Sequence, residues 1–141
     1  MLARAPGYRL LDGPPPPDAY ASLRAQSGLS PRSDAQVRAG LHGAWAACHV
    51  VHEQTGEAVG MGRVIGDGGW YFHVIDMAVL PEHQRRGLGA NVLEWLLARV
   101  RDGAPPGAVV NLLADAPGRA LYARYGFVAT APGSIGMSLA L

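Results

Sequence analysis

Little in this 141-residue sequence carries a surplus of charge of either sign, and that lack removes whole classes of partner. Twelve basic side chains against eleven acidic ones leave a formal net charge of +1, and charged residues make up only 16% of the chain. A protein that binds a polyphosphate backbone through bulk electrostatics needs a basic excess, so nucleic acid is not an expected partner. Cysteine is nearly missing. Cys48 stands alone, so no internal disulfide can close, and the several cysteines of a stapled secreted scaffold are absent. Cys48 is expected as a buried, reduced thiol. No apolar run approaches the roughly 18–20 residues of a membrane span, and the opening MLARAPGYRL lacks the apolar stretch of a signal peptide. A cytoplasmic setting with no membrane partner is the expectation. The run HVVHE, with His49, His52 and Glu53 beside Cys48, matches no dependable zinc spacing, and its two histidines would face opposite sides of a strand. No metal is expected.

What the sequence does hold is apolar material, 49% of its residues, over a length typical of one domain. A single domain over 1–141 follows as the expectation. Residues 8–11 read as a first strand, ended by Asp12-Gly13 and the four prolines 14–17, which cannot continue a ladder. Asp18 is placed to cap a helix over 19–27 that Gly28 stops, and Ser33 to cap a second helix starting at Asp34. Segments 45–53, 57–65 and 70–80 read as an antiparallel meander, the last two joined at the turn Gly66-Asp67-Gly68-Gly69. Leu88, Val92, Leu93, Leu96, Leu97 and Val100 recur at helical spacing until Asp102-Gly103, which predicts a long amphipathic helix. Segment 108–114 is a buried-type strand that would pair in parallel with 70–80 across that helix. A short helix over 117–125 and a hairpin from 127–131 and 135–141 complete an α/β order of elements.

The most informative stretch is 79–90, VLPEHQRRGLGA, where a strand runs through a glycine-containing turn into the long helix. The unpaired N–H groups of a first helical turn and the positive end of the helix dipole favour an anion there, and glycines let a phosphate approach the backbone. Arg85 and Arg86 add guanidinium donors beside the same turn. A P-loop is ruled out because no Gly-Lys-Ser/Thr ending follows, and the dinucleotide fingerprint fails because Val92 stands where its third glycine would be.

The motif Gln84-x-x-Gly87-x-Gly89-Ala90, preceded by Met77-Ala78-Val79 and Pro81, resembles the cofactor-binding motif of the GNAT N-acetyltransferases. A second match lies downstream, where Ala114-Asp115-Ala116-Pro117 and Ala120-Leu121-Tyr122-x-x-Tyr125-Gly126-Phe127 look like the family's helix ending in tyrosine and Gly-Phe. The resemblance covers nearly the whole chain, loosely before Val59. It implies the GNAT acyl-CoA N-acyltransferase fold, a mixed central sheet of about six to seven strands with about four helices. It also implies acetyl-CoA as co-substrate. The main chain of Met77, Ala78 and Val79 would pair with the pantetheine arm like an extra strand, and Gln84, Arg85, Arg86, Gly87, Leu88, Gly89 and Ala90 would hold the pyrophosphate. The two parallel strands would splay apart to seat the thioester. Tyr122 matches the family's tyrosine beside the cofactor sulfur. Asp115 stands where many relatives carry an asparagine seven residues before that tyrosine, which leaves a cofactor contact there open.

Transfer needs a neutral amine, a donor for the developing oxyanion and an acid for the departing thiolate. Tyr122, a phenol with ordinary pKa near 10, is the candidate acid. For the base, Asp76 and His73 are the candidates; their odd separation predicts side chains on opposite faces, so at most one would face the acceptor. Arg63, Trp70 and Tyr71 are expected around the hairpin turn as acceptor-binding residues, with Arg63 able to pair with a substrate carboxylate. The expected acceptor is a primary amine of a small molecule, since no acidic run offers a docking surface for basic peptides. Two alternatives stay open: an acetyl-CoA-binding sensor or scaffold without turnover, and a protein or peptide N-acetyltransferase. Sheet edges at the C-terminal strands leave room for a homodimer.

Overall fold

The computed structural model describes residues 4–141, so the first three residues of the expected 1–141 unit lie outside the description. Its elements run β1 (Tyr8–Asp12), α1 (Pro17–Gln26), α2 (Asp34–Leu41), β2 (Ala46–His52), β3 (Ala58–Gly66), β4 (Tyr71–Val79), α3 (Leu88–Gly103), β5 (Val109–Asn111) and α4 (Arg119–Arg124). Among the described residues the strands form one sheet in the order β1-β2-β3-β4-β5, antiparallel throughout except for the parallel β4–β5 pair. No helix among them is long and apolar enough to cross a membrane.

Local chemistry accounts for most of these boundaries. α1 begins with Pro17 at its first position, where the missing N–H costs nothing; Asp18 lies inside the first turn and is not the cap expected of it. α2 starts on a capping box, Ser33 Oγ accepting from the Gln36 amide and Gln36 Oε1 accepting from the Ser33 amide. The apolar stripe of α3 is buried as its spacing predicts, with Val92, Leu93 and Leu96 wholly covered by β2, β3 and β4. Gly62 of β3 lets that helix come close: a Cβ there would stand 2.7 Å from both Met77 Sδ and Val92 Cγ1.

The other face of the sheet carries α1 and α2. Arg63, next to Gly62 and so on the opposite face, donates to the Gly40 carbonyl at 2.8 Å and lies over the Tyr20 ring. Between Met61 and Arg63 the β3–β4 register shifts by one, so Gly62 faces both Asp76 and Met77, and Asp76 takes φ of +61°. This is a β-bulge with one extra residue on β4, and aspartate is among the few side chains that adopt that backbone at modest cost.

Two expectations change at the C-terminal end. β5 has only three residues, not the seven of 108–114, because β4 pairs with it at Tyr71, Phe72 and His73 and the two strands then diverge. Residues 127–141 form no strand, so the sheet has five strands among the described residues. A hairpin is marginal by itself and needs a sheet edge to dock on, and a three-residue β5 offers very little. Ile135, Met137 and Leu139, which alternate like a strand, are exposed.

Candidate active site

Where β4 and β5 diverge, a cleft of about 1010 Å³ opens, bounded by α1, α2, β3, β4, the segment after β5, and α4. β4 runs six residues past its last pairing with β5, so from Val74 onward one of its main-chain edges is bonded to β3 and the other has no strand beside it. Met77, Ala78 and Val79 lie on that stretch. The Val79 carbonyl accepts from Gln84 Nε2 at 3.0 Å, which closes the loop between β4 and α3.

The bulge corrects the expectation for Asp76 and His73. Arg63 and Ile75 are direct cross-strand partners and share a face; His73 lies two residues before Ile75 on that face, and the extra residue swings Asp76 onto it as well. Both therefore line the cleft. Their surroundings separate them. Asp76 is buried and accepts from Arg24 Nη1, from the Tyr20 hydroxyl and, at 2.7 Å, from Arg63 Nε. A carboxylate already holding two guanidinium groups and a phenol is committed to those three donors, so Asp76 organises the wall of the cleft. The same bonds overturn the expected position of Arg63, which is buried in the middle of the face rather than displayed at the hairpin.

His73 is held differently. Its Nδ1 lies 2.8 Å from Asn111 Oδ1, the residue opposite it on β5, and Asn111 Nδ2 donates to the Tyr71 hydroxyl at 2.7 Å. A carbonyl oxygen can only accept, so with Asn111 Oδ1 facing the ring Nδ1 is the donor of this pair, and Nε2 has no hydrogen-bond partner among the described residues. Tyr71 thus acts on the cleft through Asn111. Trp70 does not line it; both aromatic residues are exposed at the β3–β4 turn, where Asp67 accepts from the amides of Gly69, Trp70 and Tyr71.

Tyr122 enters the cleft from α4, half-buried against Gly118, where a Cβ would stand 2.8 Å from the tyrosine ring. Burial, and then the negative charge of Asp115, push its phenol above the ordinary 10. It therefore carries a proton throughout the neutral range. Tyr125, by contrast, donates to Glu94 Oε1 at 2.7 Å and ties α4 to α3.

At the start of α3 the turn is shaped by Arg85, with φ of +61°, and Gly87, with φ of +81°. Leu88 and Ala90 are buried and anchor the helix, while Gln84, Arg85 and Arg86 are exposed. Among the described residues no side chain caps this helix, and its first turn holds no acid, so the amides ahead of the first intrahelical bond, Asn91 N–H to Gly87 carbonyl, remain directed into the turn. Gly89 has no folding reason to be glycine: an added Cβ would meet only Leu121 at an ordinary 3.6 Å. A bare helix start with room above it suits an anion as bulky as a pyrophosphate.

Arg24 and Asn111 are the site residues that sequence reasoning did not single out. Asn111 had a signal, a lone amide inside the apolar run AVVNLLA, since a half-buried amide needs partners. Arg24 had none, because only the packed sheet brings α1 against β4.

A family model, the acetyltransferase (GNAT) domain, matches residues 44–129. A protein of meticillin-resistant Staphylococcus aureus described as a probable acetyltransferase superposes with a TM-score of 0.90 at 31% identity, over 95% of this chain and 99% of that one. A GNAT family acetyltransferase from Streptococcus pneumoniae shares the fold at a TM-score of 0.75 and 19% identity, over 95% and 97% of the two chains. So does glucosamine-6-phosphate N-acetyltransferase from Arabidopsis thaliana, at 0.71 and 17%, over 94% and 97%. No curated protein matches the sequence significantly. With the glycine turn, the splayed parallel strands and the helix of Tyr122 all present, and with a family model covering most of the chain, this protein belongs to the GNAT acetyltransferase family.

Proposed function

We propose that this acetyltransferase moves an acetyl group from acetyl-CoA to a primary amine of a small molecule, by direct attack in a ternary complex. The observation that carries this reading is the convergence of an imidazole held by Asn111 and a proton-bearing phenol on one cleft beside the free edge of β4. Acetyl-CoA, the co-substrate the family generally uses, would supply an acetyl thioester there. The amides at the start of α3, with Arg85 and Arg86, would hold its pyrophosphate, and the free edge of Met77–Val79 its pantetheine arm.

The acceptor's ammonium must lose a proton before its nitrogen can attack. His73, held through Nδ1 by Asn111, would take it on Nε2. Tyr122 Oη holds the proton that a departing thiolate requires. The acceptor nitrogen gives up two protons in all, one to His73 before attack and one from the tetrahedral adduct as the C–S bond breaks. The second replaces the proton Tyr122 gives to the thiolate, so that His73 alone has a proton to release to solvent.

The test is thiol release from acetyl-CoA against a panel of amines, amino acids and short peptides, with binding followed by calorimetry. The chain's own chemistry keeps the background low. Burial pushes the Cys48 thiol up to about 12, and the sequence contains no lysine to be acetylated on its side chain. Thiol release with small amines supports the reading; release with peptides alone moves it to a peptide acetyltransferase, and binding without release to a sensor.

Two variants probe its halves. Gly89→Glu is expected to weaken acetyl-CoA binding by at least about tenfold by setting a carboxylate at the helix N-terminus, while thermal stability holds or rises, since glycine within a helix costs about 1 kcal/mol. Equal affinity in calorimetry would remove the turn from the cofactor site. Tyr122→Phe is expected to leave that affinity unchanged and slow turnover by about 10²-fold, near the lower end for a lost general acid. A wild-type rate would reduce Tyr122 to packing.

A further inference from the structure

The wall of the cleft carries more positive charge than it can balance. Arg24 and Arg63, both buried, share one carboxylate, that of Asp76. Arg24 spends its guanidinium on Asp76, on the Ser30 carbonyl through Nε at 2.9 Å and on Ser30 Oγ through Nη2 at 3.2 Å. Arg63 uses Nε on Asp76 and Nη1 on the Gly40 carbonyl, and among the described residues Nη2 has no hydrogen-bond partner. The side chain of Arg63 is only 10% exposed, and because no buried side-chain nitrogen or oxygen among the described residues lacks a partner, the unbonded Nη2 is a part of it that opens on the cleft. The other charged residues lining the cleft do not restore balance: Arg32 adds a third cation at its exposed rim, and Asp115, also exposed, sits after β5 beside Tyr122.

A guanidinium fixed on its other edges, with one donor edge open on the cleft, is placed to receive an anion that enters it. A guanidinium is matched in charge and shape by a carboxylate or phosphate. Resting on the acetyl-transfer reading, we infer that the acceptor is a small amine that also bears an oxyanion, and that Arg63 Nη2 in the cleft binds that oxyanion while the amine faces His73. Arg24 acts through Asp76 as a positioning residue, and the rim cation Arg32 adds attraction on approach.

Matched pairs of acceptors test this: 4-aminobutanoate against 1-aminobutane, and 2-aminoethyl phosphate against 2-aminoethanol. Each is measured twice on the full chain, by calorimetric binding and by thiol release from acetyl-CoA. The anionic member of at least one pair is expected to bind about tenfold or more tightly, the range for a hydrogen bond to a buried charge, and the pair that shows it tells carboxylate from phosphate. Arg63→Gln is expected to bring that ratio to about one, the loss appearing in KM. Should Arg63→Gln not fold, Arg32→Gln and a salt series on the wild type report the same attraction, the ratio falling in both. Equal affinity for both members of both pairs, or a preference that survives in Arg63→Gln, overturns the inference. Preferential binding without thiol release upholds the oxyanion site and sinks the transfer reading, whereas thiol release with equal affinities does the reverse.

Discussion

Replacing His73 by alanine is expected to lower kcat by about 10²–10⁴-fold at neutral pH, the span usual for loss of a positioned general base. The argument rests on position. His73 sits at the last β4–β5 pair, lining the cleft, with its Nδ1 2.8 Å from Asn111 Oδ1 and its Nε2 without a hydrogen-bond partner among the described residues. An alkylammonium has a pKa near about 10 and almost none of it is neutral at pH 7, so without a base the reaction waits for the rare free amine. The loss should therefore shrink as pH rises toward 10, because the solution then deprotonates the acceptor unaided. Affinity for acetyl-CoA and the melting temperature are expected to stay as in the wild type, which separates lost chemistry from lost structure. A variant within threefold of wild type at pH 7 would mean that water takes the proton and that the Tyr71–Asn111–His73 chain serves packing alone.

Asp76→Ala is expected to reduce the unfolding free energy by about 3–5 kcal/mol in a urea titration, a large share of the roughly 5–15 kcal/mol that holds an ordinary domain together. Removing this one carboxylate leaves two buried guanidinium groups facing each other and strands the Tyr20 hydroxyl. It also puts an alanine at φ of +61°, where aspartate is better tolerated. A catalytic base behaves in the opposite way, since its loss costs rate and leaves stability alone. An Asp76→Ala protein that melts like wild type but has lost turnover would return Asp76 to the chemistry and take away its structural role. Replacing the whole Arg24–Asp76–Arg63 group by apolar residues of similar volume should recover much of the stability, because a buried ion cluster is expensive to break and inexpensive to exchange.

The elements legible in the sequence are those whose causes are local. The stripe of Leu88, Val92, Leu93, Leu96, Leu97 and Val100 names both the helix and its buried face, and the Ser33 capping box marks the start of α2. The turn between β3 and β4 forms where Gly66-Asp67-Gly68-Gly69 allows it, with Asp67 Oδ1 gathering three amides. The glycine turn before α3 was equally legible, because its conformations need Gly87 and its exposed helix start needs no distant partner. Misreadings fall where a distant residue decides. The parity rule that separated His73 from Asp76 holds only for an unbroken strand, and nothing in YFHVIDMAV announces an extra residue. The apolar run 108–114 looks like a full strand, yet its length in the sheet is set by where β4 turns away from it.

Sequence by itself determined the order of strands and helices as far as α4, the glycine turn before α3 and the presence of Tyr122 on the helix after β5, since periodicity, capping and backbone freedom act within a few residues. Tertiary structure alone decided which groups are left to do chemistry. A one-residue bulge brought Asp76 among Arg24, Arg63 and Tyr20 and so occupied it, while the meeting of β4 with β5 set Asn111 against Nδ1 of His73. Charge balance and proton position are properties of neighbours, and these neighbours lie 13 to 56 residues apart along the chain.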